Sequence, residues 1–133
     1  MTTTTKRNLI GFAVGLAIAA VIIVTNQPGT IPATSPIDTA VETCDVAGNP
    51  HVAVLDDGHT LTVHGDGDTD PGLQYEDVAC VLAETGVTGA VIARMDRTRA
   101  LDGTQDATWG DYAASWTYHP DAGLNVLITW GDA

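Results

Sequence analysis

Carboxylates recur through Asp66-Gly67-Asp68-Thr69-Asp70-Pro71-Gly72-Leu73-Gln74-Tyr75-Glu76-Asp77. Hard cations need several convergent oxygens, and calcium loops supply them at alternate positions with a last carboxylate at the twelfth. Asp66, Asp68, Asp70 and Asp77 fall at those places. Two departures weigh against the match. Pro71 stands where the sharp turn takes glycine, and its ring cannot reach positive φ. Asp77 is shorter than the bidentate glutamate such loops use, and a strand rather than a helix leads in. The rival expectation is a solvated acidic loop in which Asp70 caps a helix. A calcium-dependent binding module is therefore the alternative reading, not the leading one.

Other chemistry-bearing residues give less. Ser115, His119 and Asp121 include the types of a nucleophilic triad. Two strand repeats would hold Ser115 and His119 about 13 Å apart, too far for a hydrogen bond. His119-Pro120-Asp121 reads instead as turn chemistry. His51, His59 and His64 share a hairpin but not adjacent places on it. No glycine-rich phosphate loop occurs, and no lysine follows Lys6. The expectation is a non-enzymatic protein without a cofactor; an accessory to a cell-wall enzyme is the third reading. Cys44 and Cys80 lack the C-x-x-C or H-x-x-x-H spacing of a metal site, and an even count favours a disulfide. Free thiols are the alternative.

Trp116, Tyr118 and Trp130 admit two readings. They are the core of a domain short of other large side chains, or an exposed face that binds a partner.

The elements that position these residues follow from periodicity. His51–Asp56 and His59–His64 flank Asp57-Gly58, a favoured type I′ turn. Pairing Asp56 with His59 sets Val54 against Leu61 and Val52 against Val63, all on one face. A helix is expected from about Pro71 to Thr85, with Tyr75, Val78, Ala79 and Leu82 as its core stripe. A second is expected from Gly89 to about Leu101, capped by Thr88, with Val91, Ile92 and Met95 inward. A strand competes there because Val91 and Ile92 are β-branched. A closing hairpin pairs Tyr118 with Val126, Trp116 with Ile128 and Ala114 with Trp130, with Gly123 in its turn. The fold class is α+β: a small antiparallel sheet of two β-hairpins with two helices on one face, preceded by one transmembrane helix.

That transmembrane expectation rests on residues 9–25, Leu9 to Thr25, which hold no charge. As a helix at ~1.5 Å per residue they span roughly 25 Å. Lys6 and Arg7 precede them, so residues 1–8 should stay in the cytoplasm and the rest cross. No small-residue cleavage pattern follows the run. An uncleaved signal-anchor is the reading, and a secreted, cleaved form the alternative. Pro28, Pro32 and Pro36, among Thr, Ser and Gly, mark 26–43 as a linker. Residues 44–133 remain as the extracytoplasmic domain. All 17 acidic residues follow position 37 against three arginines, Arg94, Arg97 and Arg99, a net of −14. Such a surface disfavours nucleic acid and anionic lipid. The clustered arginines either serve a partner or neutralise the domain's own acids.

A resemblance adds to this. Arg99-Ala100-Leu101-Asp102-Gly103-Thr104-Gln105, Trp109, and Ser115-Trp116-Thr117-Tyr118-His119-Pro120-Asp121-Ala122-Gly123-Leu124 resemble a pattern in small single-pass proteins of actinobacteria and their phages. Tyr75-Glu76-Asp77-Val78-Ala79-Cys80-Val81-Leu82 is similar to their middle segment. The resemblance implies an anchored or secreted domain, and a prophage origin, with no particular chemistry. The functional expectation is a membrane-tethered extracytoplasmic interaction or envelope-associated module.

Overall fold

A computed structural model describes residues 34–131. Among them, three helices pack on one face of a five-stranded antiparallel sheet. No helix among the described residues is long and apolar enough to cross a membrane. The apolar run 9–25 and the first part of the expected linker lie outside the described residues.

The rest of that linker is helical. Helix α1 spans Pro36–Thr43 and buries Ile37, Ala40 and Val41. The reason is local. Ser35 Oγ accepts from the Asp38 N–H at 2.9 Å, the Asp38 carboxylate accepts from the Ser35 N–H at 3.2 Å, and Pro36 opens the first turn. This reciprocal cap with an N1 proline is a strong helix start. The folded domain thus reaches back at least to Ser35 and does not start at Cys44.

Strands β1 (Val52–Leu55) and β2 (Thr60–His64) pair in the expected register, Val52 with Val63 and Val54 with Leu61. Asp57 (φ 53°, ψ 40°) and Gly58 (φ 85°) form the I′ turn, closed by the His59 N–H on Asp56 O at 3.1 Å. Any Cβ on Gly58 would lie 2.4 Å from Ser35 Oγ, so this turn also seats the start of α1.

Helix α2 runs Tyr75–Glu84, starting later than expected, and Asp70 does not cap it. The backbone N–H groups of Asp66, Asp68, Thr69, Asp70 and Leu73 are bonded to carbonyls of Leu73, Pro120, Asp121 and His64. A segment so engaged cannot wind into a helical turn. The buried stripe is Val78, Val81 and Leu82; Tyr75 is 52% exposed and Ala79 half-buried. The helix is rotated toward α1, to which Cys80 is bonded. Helix α3 spans Gly89–Arg97, capped by Thr88 as expected, with Val91 and Met95 buried and Ile92 half-buried. It ends before Leu101, and a separate 3-10 turn covers Ala100–Asp102.

Strand β3 (Gln105–Trp109) was not expected. It pairs with β4 (Tyr112–His119) across a two-residue turn, Gly110-Asp111. Strand β5 (Gly123–Trp130) lies between β4 and β2, giving the order β1-β2-β5-β4-β3. The β4–β5 pairs are Trp116–Val126, Ala114–Ile128 and Tyr112–Trp130, two residues away from the expected register. The expected register would have set Pro120 against Leu124, and proline has no N–H for the ladder. Sliding by two keeps every side chain on its own face. Leu61, Val63, Trp109, Ala114, Trp116, Val126 and Ile128 therefore meet the three helices in one core. The other face meets water with Thr60, Thr62, Ser115, Thr117 and Thr129, as one-sided antiparallel sheets do.

Candidate functional site

The Asp66–Asp77 carboxylates do not come together. Asp66 Oδ1 accepts from the Gly72 N–H at 3.1 Å and Oδ2 from Gln74 Nε2 at 3.3 Å. Asp68 and Asp70 project into solvent from a loop pinned to the β4–β5 turn, and Asp77 sits in the first turn of α2, where a negative charge suits the helix dipole. No group of three or more His, Cys, Asp or Glu among the described residues is placed to hold a metal ion. Within the Asp66–Asp77 segment only Asp66 bonds through its carboxylate, to its own loop, while Asp68 and Asp70 stay exposed.

The same loop builds something else. It returns from β2 through the parallel bridge Gly65–Leu73 and lies on the β4–β5 turn. The Gly65 N–H donates to Leu124 O at 2.8 Å, that of Asp68 to Pro120 O at 2.8 Å, and that of Asp70 to Asp121 O at 2.9 Å. Gly123, at φ 70°, allows this approach, since a Cβ there would stand 2.4 Å from Asp66 O. Between this braced loop, α2, α3 and the ends of β4 and β5 lies a groove of about 310 Å³.

Its floor is apolar: Leu73, Val78 and Met95 are buried, and Leu124 is half-buried. Its rim carries Asp66, Tyr75, Asp96 and Tyr118. The Tyr75 hydroxyl donates to Asp96 Oδ1. That bond pushes the phenol's pKa above its ordinary 10.0, with partial burial and the nearby Asp96 charge acting the same way. Tyr75 is thus a neutral donor at physiological pH, and Asp96 Oδ2 has no partner among the described residues. The groove pairs two carboxylates and two phenol rings with an apolar base. Such a set favours a cation on an apolar stem: carboxylates pair with the charge, ring faces attract it, and the floor takes the hydrocarbon.

Of the residues singled out from sequence, Asp66 and Tyr118 reach this groove. Asp68, Asp70, Asp77 and Trp130 do not line it. Tyr75, Met95 and Asp96 were missed as site residues. Their spacing on two different helices carries no motif, and only the loop that spans them creates the groove.

Trp116 is not an interaction surface. It is 2% exposed, its Nε1 donates to Thr98 Oγ1 at 2.8 Å, and the Arg94 guanidinium lies 5.4 Å from its ring centre. Trp130 is half-buried and stacks on His59 at 5.1 Å. His119 Nδ1 accepts from the Asp121 N–H at 3.1 Å, so its role is in the turn. Cys44 and Cys80 form a disulfide, Cα to Cα 5.9 Å, joining the end of α1 to the middle of α2.

Of the three arginines, Arg94 and Arg97 lie in the last turns of α3 and Arg99 opens the 3-10 turn that follows. Arg94 also donates to Asp106 O at 3.1 Å, while Arg97 and Arg99 are exposed. Leu101, on the turn that follows, is 98% exposed.

Compared with known proteins, the chain matches no family model, no curated protein and no solved structure.

Proposed function

We propose that this chain is a membrane-tethered, extracytoplasmic interaction module. In this reading residues 9–25 anchor it, and the acidic, tyrosine-rimmed groove receives a basic protein segment that also carries an apolar side chain. The observation that carries the reading is the placement of Asp66 and Asp96 beside Tyr75 and Tyr118, over a floor of Leu73, Val78 and Met95. The Cys44–Cys80 disulfide supports an oxidising compartment, where such bonds persist. Lys6 and Arg7 before the apolar run support a cytoplasmic N-terminus.

The test uses the full chain in detergent micelles, titrated with a short peptide bearing Arg and Leu and with its Arg→Glu counterpart. Saturable binding of the first alone is expected, weakened by at least about tenfold in Asp96→Asn, the scale of one charge-assisted hydrogen bond. Equal affinity for both peptides, or none for either, would reject the groove as a receptor for such peptides. A C-terminal reporter that is active only in the cytoplasm should be silent in cells; activity would reject the topology.

A further inference from the structure

We infer that the occupant of the groove is supplied by a second copy of this chain: its Arg99-Ala100-Leu101 turn. This rests on the groove reading above and names the partner. Leu101 is 98% exposed, which is unusual for a leucine on an ordered turn. The turn is rigid. Arg99 N–H donates to Asp102 Oδ2 at 2.8 Å, Asp102 N–H to Arg99 O at 2.9 Å, and Gln105 Nε2 to Asp102 O at 2.8 Å. A braced turn that holds an apolar side chain in water has already met its ordering cost, and gains on burial without a further loss of chain entropy.

Charge selects the same segment. The groove asks for a cation, and after Arg7 the chain has three, Arg94, Arg97 and Arg99. Arg94 is engaged by Trp116 and Asp106. Arg99 is 81% exposed at its side chain and only loosely held by its own Asp102 at 3.6 Å. Across the contact, Asp96 offers the free Oδ2. A guanidinium there would form a charge-assisted bond while Leu101 covers the apolar floor.

Position makes the contact reciprocal. Thr98 lines the groove, and Leu101 follows it by three residues. Knob and groove are therefore neighbours on each copy. A twofold axis between two copies lets each insert into the other, which closes the assembly as a dimer rather than a filament. Anchoring in one membrane would raise the effective concentration of the two domains. The pairing also sets a basic segment of a strongly acidic domain against its partner's carboxylates, which relieves part of the like-charge repulsion between two copies.

Sedimentation equilibrium of the full chain in density-matched detergent tests this. The expected result is a concentration-dependent dimer that Leu101→Asp converts to monomer. Leu101 makes no core contact, so unchanged tryptophan fluorescence should show that this variant is folded. Arg99→Glu and Asp96→Arg should each weaken the dimer by about tenfold or more, and the two together should restore it. A monomer at all concentrations, a dimer unaffected by Leu101→Asp, or charge reversals that add without rescue would overturn the inference. A monomeric chain that still binds the Arg-Leu peptide would sink the second-copy occupant and leave the groove reading standing. A dimer that obeys the charge swap while the peptide fails to bind would reject the peptide-binding function and keep the self-association.

Discussion

The indole N–H of Trp116 donates to Thr98 Oγ1 at 2.8 Å, and that hydroxyl in turn donates to Arg94 O at 2.7 Å. One threonine therefore closes the end of α3 and satisfies the buried polar atom of a central sheet residue. Trp109 repeats the arrangement with α2: its Nε1 lies 3.2 Å from Thr85 Oγ1, which donates to Leu82 O at 2.6 Å. Each of these two helices is thus fixed to the sheet at its C-terminal threonine. Thr98→Val keeps the shape and strands the Trp116 N–H. It should cost about 1–3 kcal/mol, the penalty for an unsatisfied buried donor, whereas Thr98→Ser should cost less. Trp116→Ala should cost about 3–5 kcal/mol. Urea unfolding followed by far-ultraviolet circular dichroism gives these differences directly. A Thr98→Val variant as stable as wild type would show that the clasp contributes nothing.

Helix α1 contributes core as well as connection. Ile37 is fully buried, with Ala40 and Val41 beside it. Ile37→Ala should lower stability by about 2–5 kcal/mol. A chain shortened to begin at Cys44 should be markedly less stable than one beginning at Thr34. Equal melting temperatures for the two would mean that the helix is dispensable.

This helix also shows what could be read from the sequence. Ser35-Pro36-Ile37-Asp38 holds a cap, an N1 proline and an acid at the third position, yet three nearby prolines made the segment look like spacer. The first hairpin was legible in turn type and register, because Asp57-Gly58 fixes both, although its strands stop at Leu55 and resume at Thr60, one residue short on each side. The closing hairpin was legible in its faces but not its pairing, since a shift of two residues leaves the alternation intact. Strand β3 escaped because Ala107 and Trp109 are its only apolar inward residues. The disulfide followed from the even cysteine count and the oxidising compartment expected for the domain. The groove was not legible. It depends on backbone bonds between residues 65–70 and 120–124, and backbone groups leave no trace in side-chain pattern.

The Cys44–Cys80 bond closes a separation of 36 residues. In the chain-entropy account this contributes about 4 kcal/mol, a large share for a domain of this size. It also presses α1 against α2. Reduction should lower the thermal midpoint substantially, and Cys80→Ala should reproduce the effect without reductant. A melt unchanged by reductant would remove the bond from the causes of stability.

Tyr75 makes stability depend on alkaline pH. Its folded pKa is raised above 10.0, first by the bond to Asp96 and then by burial. The unfolded chain has no such bond, so its phenol titrates at the ordinary value. The stabilisation from neutral Tyr75 is thus fully present below that value and is lost as pH rises through the higher folded one. Unfolding free energies measured from about pH 8 to about pH 11 should fall less steeply in Tyr75→Phe than in wild type. Absorbance at the phenolate band should show one tyrosine fewer titrating late in that variant. Parallel curves would place Tyr75 outside the linkage.

Gly123 joins the fold to the groove. Its φ of 70° and the 2.4 Å between a Cβ and Asp66 O leave no room for a side chain. Gly123→Ala must move the 65–70 loop off the β4–β5 turn or distort His119–Gly123 pairing. The left-handed conformation alone costs a residue with a Cβ roughly 1–2 kcal/mol, and the backbone clash adds to it. Because Asp66 and Leu73 line the groove from that loop, the substitution should damage binding along with stability. Gly103, at φ 66° with nothing near its missing Cβ, is the control. Gly103→Ala carries a backbone cost of its own, at φ 66° and ψ −151° outside the left-handed basin, without the clash, and should leave the groove intact. Amide exchange at Asp68 and Asp70, whose N–H groups bond to the turn, reports the difference. Faster exchange at both in Gly123→Ala and not in Gly103→Ala is the expected result. If both variants exchange alike, the close approach at Gly123 is not what holds the groove together.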